Sequence, residues 1–185
     1  VPDVTVDPVQ PQATAAVVIC AYTEKRWGLL ASAIASVARQ TTAPAETILV
    51  IDHNDALLDR ARQEFQGVTV IANTHGRGEA GVRNTSIDHA TAEIIAFFDD
   101  DAVADPAWLE HLIAAFADPS TIGAGGAIRS RNTPLKSTFS DRSRRIRTVR
   151  SPGPSTANRL CTPDTKSSTA VPVRIRPVGA STVTV

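Results

Sequence analysis

Four short apolar runs recur along the first hundred residues, at 16–20 (AVVIC), 47–51 (TILVI), 68–72 (VTVIA) and 94–98 (IIAFF). Each is rich in β-branched or aromatic residues and shorter than a typical helix, which suits strands buried on both faces of a parallel sheet. The stretches between them carry a helical period instead. Residues 27–39 (WGLLASAIASVAR) place Leu30, Ile34 and Val37 on one face. Residues 56–65 do the same with Leu57, Leu58, Ala61 and Phe65, and residues 79–90 with Val82, Ile87 and Ala90. A further helix is expected after Asp105, with Asp105 as N-cap, Pro106 in the first turn, and Trp108, Leu109, Leu112, Ile113 and Phe116 as its apolar residues. Residues 123–128 (GAGGAI) suggest a fifth strand. This alternation predicts an α/β fold, a Rossmann-like and mostly parallel sheet with right-handed crossovers and helices on both faces. Ligands of such sheets sit beyond the carboxyl ends of the strands. Polar and acidic residues follow the first, second and fourth runs, at that edge.

Charge divides the chain where the alternation stops. The formal net charge is zero, but residues 1–128 hold 7 Lys/Arg against 17 Asp/Glu, and residues 129–185 hold 12 against 2. Opposite balances in adjoining segments indicate two kinds of polypeptide. We therefore divide the chain into a Pro-rich disordered leader (1–15), an α/β subdomain (16–128) and a basic tail rich in Ser, Thr, Pro and Arg (129–185). The tail's composition fits disorder, and out-of-frame translation of a GC-rich gene gives the same residues.

Cys20 and Cys161 form neither a disulfide framework nor a zinc site. No apolar run approaches the roughly 18 residues of a membrane span. The expected setting is the cytoplasm, in solution or peripheral at the inner face of the membrane.

The sharpest chemical signal is Phe97-Phe98-Asp99-Asp100-Asp101, a buried strand running into three carboxylates. Adjacent carboxylates repel one another, and a hard divalent cation such as Mg²⁺ or Mn²⁺ relieves that repulsion. A solvated turn or a helix-capping cluster would use the same residues. Alternation along an extended strand end would send Asp99 and Asp101 to one side. After the first strand come Ala21, Tyr22 and Glu24, where an aromatic ring can stack on a nucleobase. After the second comes Asp52, able to accept from a base N–H or to cap the next helix, a task for which Asp55 is better placed. His53 reads as a solvated loop residue. The glycine-punctuated segment from Gly76 to Asn84 lacks the Lys-Ser/Thr of a phosphate loop and the third glycine of a dinucleotide fingerprint. Its Arg83 can clamp a diphosphate or pair with Glu79 one helical turn back.

Taken together, residues 17–128 resemble the inverting family 2 glycosyltransferases of the GT-A fold. The resemblance rests on Val18-Ile19-Cys20-Ala21-Tyr22, Val50-Ile51-Asp52, Gly81-Val82-Arg83-Asn84, and the Asp99-Asp100-Asp101 run followed by Pro106 and Trp108-Leu109. It implies a donor site for a nucleotide-diphosphate sugar formed by Ala21, Tyr22, Glu24, Asp52, Arg83, Asp99 and Asp100. Asp99 and Asp101 are the implied ligands of Mn²⁺ or Mg²⁺. The implied reaction is attack of an acceptor hydroxyl on the anomeric carbon with inversion. The family's general base is an acidic residue well past the fifth strand. Only Asp141 and Asp164 remain there, without the family's context, and neither is assigned. The fold is accordingly expected to be incomplete on its C-terminal side, and the chain to be truncated and inactive.

Two other functions fit parts of the sequence. A sugar-phosphate nucleotidyltransferase shares the architecture but needs a glycine-rich basic loop after the first strand, and no glycine occurs there before Gly28. A nucleic-acid-binding or interaction protein could act through the basic tail, although no binding motif orders those cations. The expected partners are the sugar nucleotide and a hydroxyl acceptor, with no specific nucleic acid.

Overall fold

The computed structural model describes residues 13–126 continuously, together with short strands at 147–150 and 173–174. The central strand β1 (Ala15–Ala21) pairs in parallel with β2 (Glu46–Ile51) on one side and β4 (Ile94–Asp99) on the other. Strand β3 (Thr69–Ala72) continues the parallel set beyond β2. Three strands join antiparallel, β5 (Thr121–Gly125), β6 (Arg147–Arg150) and β7 (Val173–Arg174), giving the order β3-β2-β1-β4-β7-β5-β6. The stretch read as a tail thus supplies two strands to the sheet. The rest of it, and residues 1–12 of the leader, lie outside the described residues.

The β3-β2-β1-β4 part is Rossmann-like, as the alternation predicts, and two apolar clusters show why both faces are covered. On one face, Val17, Ile19, Leu49, Ile51, Ala96 and Phe98 pack under α1 (Trp27–Ala38), α2 (Asp55–Glu64) and α4 (Trp108–Ala115). On the other, Val18, Ile48, Val50, Ile95 and Phe97 pack against Val82 of α3 (Glu79–His89). Ile48, Leu49, Val50, Ile94 and Ile95 are wholly shielded from solvent, each contributing about 1.5–3 kcal/mol of transfer free energy.

Several local expectations shift. The buried residues of α3 are Gly81, Val82, Thr85 and Ser86, while Ile87 is exposed. A polar inner face is tolerable because Ser86 donates to the Val82 carbonyl at 2.7 Å and Thr85 to Asn73 at 2.7 Å. The N-cap of α2 is Asn54, whose Oδ1 accepts from the Leu57 N–H at 3.0 Å, so neither Asp52 nor Asp55 does that work. Helix α4 begins two residues later than a cap at Asp105 requires. Its Leu109 N–H is satisfied by Oε1 of the buried Gln40 at 2.9 Å, a tertiary cap from just past the end of α1 that no local pattern announces. Strand β5 begins at Thr121 and ends before the 123–128 run does.

Gln40 also donates to the Asp105 carbonyl at 2.9 Å, and Ser36 accepts from the Ala104 N–H at 3.0 Å. Helix α1 therefore pins the loop that follows the acidic run, which is how the fold fixes the carboxyl edge of β4.

Candidate functional site

Side-chain parity along the strands decides what reaches the carboxyl edge on each face. Ile48 and Val50 face α3, and Asp52 continues that parity just past β2. Its carboxylate is held by three donors or partners. Asn73 Nδ2 donates to Oδ1 at 2.7 Å, the Gly78 N–H donates to Oδ2 at 2.9 Å, and His53 Nδ1 lies 2.8 Å from Oδ1. Partial burial works against ionisation, but the hydrogen bonds from Asn73, His53 and Gly78 outweigh it and hold Asp52 below the usual carboxylate range. His53 has φ 51°, a left-handed conformation uncommon for a residue with a side chain. It is an exposed loop residue, as the sequence reading has it, and its ring also lies against Asp52. Tyr22 is 56% exposed, and its backbone carbonyl accepts from Asn54 Nδ2 at 3.1 Å. Its backbone is thus tied to the loop that follows β2 beside Asp52. Glu24 is exposed, in a short 3-10 turn (Glu24–Arg26) after β1.

The acidic run behaves differently from an extended strand end. Strand β4 stops at Asp99, and the Ala102 N–H donates back to the Asp99 carbonyl at 3.2 Å, closing a turn. Alternation therefore does not extend to Asp101. Asp99 keeps the α3-side parity of Ile95 and Phe97 and is in register with Cys20. Asp100 is only 5% exposed, and its Oδ1 accepts from Arg26 Nη1 at 3.0 Å. Burial pushes its carboxyl up, and the Arg26 guanidinium only partly offsets this. Asp100 Oδ2 is buried with no hydrogen-bond partner. Asp101 is exposed and lies 3.7 Å from the same Arg26 nitrogen.

Helix α3 brings the third group. The Arg83 guanidinium lies 5.4 Å from the Phe97 ring centroid and pairs with Glu79, both partners being largely solvated. An exposed pair of this kind contributes little and is readily exchanged for a ligand anion. Arg83, Glu79, Asp99 and Asp100 all act electrostatically on Cys20, beneath the edge. Burial is the dominant influence on this thiol and pushes it up to about 12. Cys20 is accordingly expected to resist iodoacetamide at pH 8 in the native protein and to react once the chain is denatured. Peptide mapping by mass spectrometry reads both states. Labelling at the denatured rate in native buffer would contradict the packing of β1 against α3.

A tyrosine ring, a fixed carboxylate, a guanidinium and an acidic turn thus gather at the carboxyl edge of β1, β2 and β4. Residues 16–172 match the sequence profile of Glycosyl transferase family 2. The chain belongs to that family. The match continues well past Ile128, into the segment whose composition reads as a tail. Among similar proteins, a glucosyl-dolichyl phosphate glucuronosyltransferase of Haloferax volcanii is 31% identical over 116 residues, covering 60% of this chain and 37% of that protein. The succinoglycan biosynthesis protein ExoW of Rhizobium meliloti is 34% identical over 106 residues, 54% of this chain and 32% of its own length. A pre-mycofactocin glycosyltransferase of Mycobacterium tuberculosis is 36% identical over 77 residues, 40% of this chain and 16% of its own. The chain spans about a third or less of the length of these curated relatives.

Within this family member, two residues of the site escaped the sequence pattern. Asn73 is buried and joins Asp52, the 73–78 loop and α3. Arg26 joins the turn after β1 to the acidic run. Asn73 sits one residue past β3, at the same edge as the others, and that placement was the signal available. Arg26 had none, because its partner lies 74 residues away. Asp141 and Asp164 lie outside the described residues. Among the described residues no helix is long and apolar enough to cross a membrane.

Proposed function

We propose that this chain binds a nucleotide-diphosphate sugar at the carboxyl edge of β1, β2 and β4, as the donor half of a metal-dependent, inverting glycosyltransferase. The observation that carries the reading is the Asp52 carboxylate, held ionised by Asn73, His53 and the Gly78 N–H on a loop that is tied to the backbone of the exposed Tyr22. A carboxylate fixed in this way can accept from a base N–H while the ring stacks on the base. Arg83, released from Glu79, is the group for the diphosphate. Asp99 faces the ribose region.

For the cation, the donor set was compared with what each kind of site needs. Among the described residues no three His, Cys, Asp or Glu side chains converge, so these residues form no closed metal site by themselves. Mg²⁺-type ions at phosphate-transfer sites commonly take one or two carboxylates, the rest of their shell being phosphate oxygens and water. The exposed Asp101 fits that requirement as one such carboxylate, with Asp99 at the strand end before it as the second one proposed, whereas Asp100 is buried and committed to Arg26. These carboxylates would hold a divalent ion, which would supply charge neutralisation for the leaving diphosphate. The acceptor oxygen forms its bond to the anomeric carbon as the bond to the diphosphate oxygen breaks, and the acceptor proton passes to a general base to which no residue is assigned.

The test is a thermal-shift titration with UDP, GDP and dTDP, each with and without Mn²⁺. One nucleotide at 100 times its dissociation constant should stabilise the protein by about 2.7 kcal/mol. The shift should require Mn²⁺ and vanish in Asp101→Ala. A folded protein that no nucleotide stabilises would defeat the proposal.

A further inference from the structure

Resting on that donor-site reading, we infer that Arg26 is a positioning residue that ties the nucleobase side of the pocket to its acidic side. A single guanidinium nitrogen, Nη1, reaches Asp100 Oδ1 at 3.0 Å and Asp101 Oδ2 at 3.7 Å. The same guanidinium sits 5.6 Å from the centroid of the Tyr22 ring, within the range of a cation–π contact. Three groups on two separate loops thus share one cation.

The pairing with Asp100 is asymmetric, and the asymmetry argues for a role beyond stability. Asp100 is buried, yet its second oxygen has no partner. A buried carboxylate satisfied on one side only is a poor way to hold two loops together, because apolar residues would do it without the desolvation penalty. What the bridge supplies is placement. Asp100 anchors the guanidinium, and the anchored group lies near both the Tyr22 ring and the exposed Asp101. Both are residues assigned to the donor, the ring to the base and the carboxylate to the cation. With Arg26 removed, both would be free to rotate into solvent and donor binding would bear the entropy of ordering them.

The role is distinguishable from simple stabilisation by pairing two substitutions. Arg26→Gln leaves Asp100 as a buried carboxylate without a counter-charge and is expected to lower the melting midpoint. Adding Asp100→Asn removes the stranded charge and should restore most of that loss. Nucleotide affinity should follow a different course. The dissociation constant of the stabilising nucleotide with Mn²⁺, measured by calorimetry on folded protein, should rise about tenfold in Arg26→Gln. It should stay about tenfold higher in Arg26→Gln/Asp100→Asn than in Asp100→Asn alone, despite the recovered midpoint. Wild-type affinity in Arg26→Gln, or affinity that returns together with stability in the double variant, overturns the inference. In either case the donor-site reading would stand, since the wild type binds. A wild type that binds no nucleotide defeats the donor-site reading and this inference with it.

Discussion

Asn73→Ala is expected to destabilise the fold by about 2–4 kcal/mol and to abolish nucleotide-dependent stabilisation, because one buried amide satisfies four separate groups. Its Nδ2 donates to Asp52 Oδ1 at 2.7 Å and to the Gly76 carbonyl at 3.1 Å. Its Oδ1 accepts from the His75 N–H at 3.0 Å and from the Thr85 hydroxyl at 2.7 Å. Alanine removes all four bonds, and although Asp52 keeps His53 and Thr85 keeps Thr74, the side chain is too buried for water to replace each lost bond at no cost. Asn73→Asp should be worse than its near-identical shape suggests, since it places a second carboxylate against Asp52 where a donor is needed. The pH dependence has a definite sign. Asp52 is depressed in the folded state against the opposing effect of burial, so its hydrogen bonds contribute stability above the ordinary Asp value of about 3.9. That contribution fades as pH falls through the lower folded value. Denaturant melts of wild type and Asn73→Ala between pH 7 and pH 2.5 should therefore converge toward acid. A difference that stays constant across that range would mean that the Asp52 bond is not what Asn73 supplies.

How much of this was legible in the sequence depends on whether the partners are near in the chain. The four parallel strands were legible because each is a contiguous apolar run, and the position of Asp52 and Asp99 at strand ends follows from those runs alone. Alternation holds as far as Asp99, where β4 ends on the α3-side parity of Ile95 and Phe97. It failed at the next residues because the Ala102 N–H closes a turn on Asp99, and the sequence of three identical residues gives no sign of where extension stops. Ile87 was misread for a related reason. The inner face of α3 is made of Gly81, Thr85 and Ser86, small or hydroxyl residues whose burial depends on bonds to Val82 and Asn73 rather than on hydrophobicity. Gln40, Arg26 and Asn73 act across distances of 65, 74 and 21 residues in the chain. Polar side chains recruited at such separations leave no periodic trace.

Gly81→Ala should be among the most damaging single-methyl changes available in this chain, although alanine is the better helix former. Gly81 lies in the first turn of α3, and a Cβ there would land on the Gly76 carbonyl oxygen, well inside van der Waals contact. It would also stand 2.8 Å from the Gly76 carbonyl carbon and 3.2 Å from Asn73 Nδ2. The first two obstacles are backbone and cannot rotate away, so the 73–78 loop must lift off the helix. That carbonyl is the one Asn73 holds at 3.1 Å, and the loop it belongs to delivers the Gly78 N–H to Asp52 at 2.9 Å. Gly78 itself turns at φ 108°, a conformation that side chains rarely adopt, so the loop has no easy second path. The expected loss is about 3 kcal/mol, or roughly 10 °C in melting midpoint. Helix propensity predicts the reverse, a gain of about 1 kcal/mol. The sign of the measured change thus separates the two effects. A Gly81→Ala protein as stable as the wild type, and still stabilised by nucleotide, would show that the loop does not rest on α3 as described and that the Asp52 carboxylate is held without it.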